Sequence, residues 1–211
     1  MVMKSRKNLL EQLKSLPYFR KDSVHQLGQQ LGLADATVET YISRFLKYKE
    51  ILQLKKGLYI PADFYDKNKG KVSYSFYLAN ILRTPSYVSS WSALQYYDLT
   101  TEAVYGMTSV TSKVTRNYTT KAGSFSYQSI KDELFSDFFL VSGEAGTFDF
   151  FIASPAKALF DLLYFKTHQL RGISEKDVKP LVEELRIDVD EMDPKEKNKF
   201  YTMTRKYIND E

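Results

Sequence analysis

The chain of 211 residues contains no cysteine. Disulfides, iron–sulfur clusters and cysteine-ligated zinc are therefore excluded, and a reducing cytoplasm is the expected compartment. Histidine is nearly as scarce, with only two in the chain. His25 and His168 are far apart, so each reads as an isolated surface or capping residue rather than a metal ligand or general base. No stretch approaches the ~20 apolar residues of a membrane span. The segment from Met1 to Ser15 is charged and amphipathic and lacks the apolar run of a signal peptide. No membrane partner is expected. No Gly-Lys-Ser/Thr closes a glycine-rich loop, and no serine sits in a nucleophile elbow. The adjacent acids Asp132-Glu133 and Glu183-Glu184 point to different sides of their elements, as ordinary solvated charge does. The expectation is a protein without catalytic residues, cofactor or metal, although acids scattered along a sequence leave a metal-dependent nuclease open.

What is present is the composition of a globular protein, 43% hydrophobic and 27% charged. The net charge of +4 is unevenly spread: residues 1–70 hold 13 Lys and Arg against 7 Asp and Glu, and residues 71–211 hold 17 against 19. A basic first part fused to a slightly acidic second part is the footprint of a nucleic-acid-binding module joined to something else. Two domains are expected, residues 1–70 and 71–211.

The stretch from Asp22 to Pro61 carries the most specific pattern. Val24, Leu27 and Leu31 recur at helical spacing, so a helix from about Asp22 to Gln30 has one apolar face. Gly32 then supplies the positive φ that a tight turn between crossing helices needs. Asp35 reads as the N-cap of a second helix that buries Val38, Ile42, Phe45 and Leu46. The other face of that helix shows Ala36, Thr37, Glu39, Thr40, Ser43, Arg44 and Lys47. Short polar groups come first and cations follow, which suits base edges and phosphates respectively. Ile51 to Leu54 and Leu58 to Ile60 read as two strands joined by a Lys55-Lys56-Gly57 tip whose lysines reach a phosphate backbone. The whole is the plan of a winged helix-turn-helix. The expected DNA-binding residues are Thr37, Thr40, Ser43, Arg44 and Lys47 on the helix and Lys55 and Lys56 on the wing, and the expected partner is duplex DNA.

Around this element the chain reads as follows. A first helix from Lys4 to Leu16 carries Leu9, Leu10, Leu13 and Leu16 on one stripe. Ala62 to Lys71 reads as a polar linker. A helix from Ser73 to Leu82 ends at Arg83-Thr84-Pro85, and Ser89 or Ser90 caps another that holds Trp91, Leu94 and Tyr97. From Val104 to Ala153 the pattern turns to strands, expected at 107–111, 114–119, 124–129, 138–141 and 147–152 in a mostly antiparallel sheet. The aromatic residues there, Phe125 through Phe151, read as core. Ser154 and Pro155 open a helix with Lys157 and Asp161 as an i,i+4 pair on its flank. Two more helices follow the caps Ser174 and Asp193. The fold class expected is α+β, a winged helix-turn-helix followed by a sheet-and-helix domain.

Two segments, SSWSALQYYDLT (Ser89 to Thr100) and ASPAKALFDLLYF (Ala153 to Phe165), resemble the AbiEi family of antitoxins from bacterial type IV toxin–antitoxin systems. The wing ending Lys56-Gly57-Leu58-Tyr59-Ile60-Pro61 also looks like that family's DNA-binding domain. The resemblance spans roughly Asp22 to Phe165. It implies an antitoxin that counteracts a nucleotidyltransferase-like toxin, directly or functionally, through its second domain. It also implies an autorepressor that binds inverted repeats in promoter DNA; dimerisation of two copies on such repeats is a separate expectation, from the geometry of half-sites. Two rival expectations stand beside it: a one-component transcriptional regulator whose aromatic-rich second domain binds a small ligand, and the nuclease named above.

Overall fold

The computed structural model describes residues 2–209, a mixed α+β chain that divides into two compact units. The first comprises Met1–Tyr74 with Tyr118–Gly123, and the second Ser75–Asn117 with Ser124–Glu211. Among the described residues no helix is long and apolar enough to cross a membrane.

The first unit runs α1 (Val2–Lys14), β1 (Phe19–Arg20), α2 (Lys21–Gln30), α3 (Asp35–Lys47), β2 (Ile51–Lys55), β3 (Leu58–Pro61) and α4 (Ala62–Asn68). The three strands form an antiparallel sheet in the order β1-β3-β2. Leu9, Leu10 and Leu13 of α1, Val24 of α2 and Val38, Tyr41, Ile42 and Phe45 of α3 meet Phe19, Ile51 and Tyr59 in one core. Tyr41 also belongs to this core, whereas Leu46 is only partly buried. Gly32 adopts φ +69°, with open space where a side chain would stand, so its role is conformational.

Three local expectations change. Asp35 is the first residue of α3, and Ala34 holds the N-cap position; the Asp35 carboxylate is drawn instead to a side chain of α2. Lys55 belongs to β2, so the turn is Lys56-Gly57, with Gly57 at φ +75°. Ala62 to Asn68 is a helix rather than a linker. Phe64 and Tyr65 pack their rings on Tyr74, and the Asn68 amide donates to the Phe64 carbonyl at 2.8 Å. Apolar anchoring at i and i+1 overrides the polar composition there.

After α4 the chain continues through α5 (Val72–Leu82), β4 (Tyr87–Val88), α6 (Ser90–Tyr96), β5 (Met107–Thr111), β6 (Arg116–Thr120), β7 (Gly123–Ser129), β8 (Phe138–Val141), β9 (Phe150–Ala153), α7 (Pro155–Lys166), α8 (Glu175–Glu184) and α9 (Pro194–Asn209), which make up the second unit except for the start of α5, the end of β6 and Gly123 at the start of β7. The six strands form one sheet in the order β6-β7-β5-β4-β9-β8. It is mixed rather than mostly antiparallel: β4 pairs β9, and β5 pairs β7, in parallel, while β4 with β5 and β8 with β9 run antiparallel. Hairpin reasoning pairs each strand with its successor. Here the short β4 is inserted between β5 and β9, which puts partners distant in the chain side by side. Nine of the twelve residues of α7 are buried, so this helix is the centre of the unit and not a surface layer.

Candidate nucleic-acid interface

Successive residues of a helix are turned by about 100°. On α3 this puts Val38, Tyr41, Ile42 and Phe45 together on the buried side. Ala36, Thr40, Ser43 and Lys47 then lie on one line along the centre of the opposite side, with Thr37 and Arg44 along one margin and Glu39 along the other. Ser43, Arg44 and Lys47 are exposed, with Arg44 and Lys47 in the last turn, where their charge also complements the helix dipole. Thr40 is exposed too, but its hydroxyl donates back to the Ala36 carbonyl at 2.9 Å and keeps only acceptor capacity for a ligand. Thr37 is half-buried at the edge of the face. On the hairpin, Lys56 is exposed at the turn, whereas Lys55 is half-buried and already engaged with neighbouring groups. The structure therefore groups Thr40, Ser43 and Lys47 on one helical line, with the exposed Arg44 and the half-buried Thr37 along its margin, and places Lys55 in β2, half-buried.

The basic surplus of the first unit is also partly spent internally. Arg6 of α1 pairs with Glu50 and lies over the Phe45 and Tyr48 rings. Lys14 reaches Asp63 at 3.3 Å, and Lys69 reaches Asp66 at 2.8 Å. The exposed cations of this unit, Arg44 and Lys47 at the C-terminal end of α3 and Lys56 at the turn among them, form the rest of its basic surface.

A cluster that sequence reading missed joins α2 to α3. The His25 ring lies 2.9 Å from Asp35 through Nδ1 and 2.7 Å from Glu39 through Nε2, and Lys21 reaches the same Glu39 oxygen at 2.7 Å. His25 is thus a bridge and not an isolated surface histidine. The available signal was the i,i+4 spacing of Asp35 and Glu39 with a histidine one helix earlier. Hydrogen bonding to Asp35, then to Glu39, holds the His25 pKa above its ordinary 6.5. The same contact lowers Asp35, and Lys21 and His25 lower Glu39 from its ordinary 4.5. A raised histidine contributes stability below 6.5 that is lost as pH rises through its folded value, and a lowered carboxylate contributes stability lost on acidification. The clamp is therefore complete between about pH 4.5 and 6.5. The melting temperature of the full chain should fall as pH rises above that window, by a small, salt-sensitive amount because both acids are largely exposed. His25→Gln should flatten that fall; an unchanged pH profile would show that the bridge does not form in solution.

The second unit holds a polar centre of a different kind. Lys157 and Asp161 are both fully buried and pair at 2.6 Å, inside α7 rather than on its flank. The other Asp161 oxygen accepts from Ser89 at 2.7 Å and Tyr87 at 3.0 Å. Ser89 occupies the N-cap position of α6 but spends its hydroxyl on Asp161; Ser154 does cap α7, accepting from the Lys157 backbone. Burial pushes the Asp161 carboxyl up, while Lys157, Ser89 and Tyr87 pull it down. With no exposed atom the network cannot meet a substrate. A cleft of about 580 Å³ lies beside Trp91 and Tyr105, rimmed by Glu102, Glu184 and Arg186. His168 stands at φ +50° in the turn after α7. Among the described residues no group of three or more His, Cys, Asp or Glu side chains is placed to hold a metal ion. The chain matches no known family model, and no curated protein is similar to it.

Proposed function

We propose that this protein is the antitoxin of a bacterial type IV toxin–antitoxin system and that it represses its own promoter, reading duplex DNA with a winged helix-turn-helix in its first unit. The observation that carries the DNA-binding part is the outward line of α3, Thr40, Ser43 and Lys47 with Arg44 beside them, together with the exposed Lys56 at the hairpin turn of the same unit. Small hydrogen-bonding groups followed by cations on one exposed helical face fit base edges in a major groove flanked by phosphates. The antitoxin part rests on the likeness of Ser89–Thr100 and Ala153–Phe165 to AbiEi antitoxins. In the structure these two segments supply Ser89, Lys157 and Asp161 to one buried network. The reading assigns the chain no catalysis, a promoter with inverted repeats as its DNA partner, a nucleotidyltransferase-like toxin as its target, and the cytoplasm as its compartment.

On the cognate promoter, Arg44→Ala should cost about 1–3 kcal/mol and relax the sequence preference. Lys56→Ala should weaken specific and random duplexes alike and reduce the salt slope by about one. Fluorescence-anisotropy titrations on both duplexes at several salt concentrations measure this; equal losses for both variants on both duplexes would remove the assignment. Rescue of growth on co-expression with the toxin encoded beside it tests the antitoxin half, and failure of the full chain to rescue would leave a plain regulator. The cleft beside Trp91 favours that second reading, a one-component regulator. It would be supported by a small molecule that changes operator affinity and is silenced by Trp91→Ala.

A further inference from the structure

We propose that the outer edge of β8 is a pairing surface for a second copy of this chain, joined antiparallel, β8 to β8, about a two-fold axis at Phe139. The two edges of the six-stranded sheet differ. The β6 edge is Arg-Asn-Tyr-Thr-Thr, with Arg116 and Asn117 exposed. The β8 edge is Phe-Phe-Leu-Val, with no lysine, proline or bulge in it, so that of the devices by which natural edges are guarded it keeps its short length. Phe139 is 47%, Leu140 55% and the neighbouring Phe151 41% exposed. Leu140 and Phe151, paired across the strands, lie on one face and Phe139 on the other, so apolar surface flanks the open edge on both sides, as it does at interaction sites.

The hydrogen-bond pattern says which groups the edge offers. Ser154 donates to the Asp137 carbonyl at 2.9 Å, and β8 and β9 pair Phe138 with Ala153 and Phe139 with Ile152. In an antiparallel ladder hydrogen-bonded pairs alternate with open pairs. Asp137, Phe139 and Val141 therefore bond toward β9, and the peptide groups of Phe138 and Leu140 face outward. Two contacts agree: the Phe151 N–H goes to Asn80 at 2.6 Å, and the Ala153 carbonyl accepts from Tyr97 at 2.8 Å, so neither is used by β8.

A second copy satisfies this edge in a definite register. Turned about Phe139, each copy sets Phe138 opposite Leu140 of the other, which uses all four outward peptide groups in two reciprocal hydrogen-bonded pairs. Phe139 then faces its own counterpart. Phe138, Leu140 and Phe151 of the two copies become one apolar surface, and no like charges are opposed. The nearest charge, Asp137, falls opposite Val141 and is held by Lys199 at 2.8 Å. Four-residue strands cover less than the roughly 1,200–2,000 Å² of a stable interface, so the pairing is reversible and grows with concentration. It does not rest on the DNA-binding reading.

The absence of cysteine makes the test direct, because one introduced thiol reports alone. In an open antiparallel pair the facing Cα atoms are about 4.5 Å apart, within the about 4.4–6.8 Å that a disulfide spans. Full-length Phe139→Cys under mild oxidation should give a covalent dimer, increasing with protein concentration and several-fold more abundant than from Leu140→Cys, whose thiols would be too far apart. Adding Leu140→Pro to Phe139→Cys should abolish the dimer while far-ultraviolet circular dichroism stays native, since only an outward N–H is lost. If the proline variant unfolds, Leu140→Lys takes its place, opposing an ammonium to Phe138. Equal dimer from both cysteine variants, no dimer at any concentration, or hydrogen-exchange protection of β8 only when a different protein is added would each overturn the proposal.

Discussion

Asp161→Ala should destabilise the second unit by about 3–5 kcal/mol, the range for removing one partner of a buried ion pair. The cause is what remains. Lys157 is fully buried, its ammonium has Asp161 at 2.6 Å, and the Phe160 ring face lies 5.0 Å away. Without the carboxylate the cation has no counter-charge inside a helix buried almost all round, and the hydroxyls of Ser89 and Tyr87 lose their acceptor. Urea unfolding followed by circular dichroism should show the loss as a lower midpoint. The double variant Lys157→Met, Asp161→Leu should recover most of it, since well-packed apolar side chains often replace a buried pair at little cost. A single variant as stable as the parent would mean that the pair is hydrated in solution and that α7 is not central to the unit.

Gly28→Ala should be the most damaging single methyl in the first unit. A Cβ built at Gly28 collides with a methyl of Val38, which has no exposed surface. Gly28 lets α2 and α3 approach backbone to side chain, and overpacking such a contact costs about 1–3 kcal/mol. Because the same contact sets the angle at which α3 presents Ser43, Arg44 and Lys47, the proposed DNA-binding function requires operator affinity to fall with the melting temperature. Gly28→Ala with Val38→Ala should restore part of the stability, which a helix-propensity effect would not do. A neutral Gly28→Ala would show that the helices are further apart than described.

The helix face, the turn and the charge asymmetry were legible in the sequence because they are local. A 100° rotation per residue places Ser43, Arg44 and Lys47 opposite Val38, Ile42 and Phe45 whatever else the chain does. Gly32 reads as a left-handed turn residue, and Ser154-Pro155 as a helix start, since φ preferences and capping bonds involve neighbours only. Contacts between elements were not legible. Nothing in the i,i+4 spacing of Lys157 and Asp161 distinguishes a solvated pair from a buried one; the helix's placement against the sheet and its neighbours decides that. His25, Asp35 and Glu39 become one cluster only because α2 crosses α3 at Gly28. The sheet is mixed because β4 lies between β5 and β9, and β8 is left as its bare edge for the same reason. Strand pairing is set by long-range burial, which a residue's own neighbours do not encode; periodicity, capping and turn chemistry act within one or two turns and were therefore readable in advance.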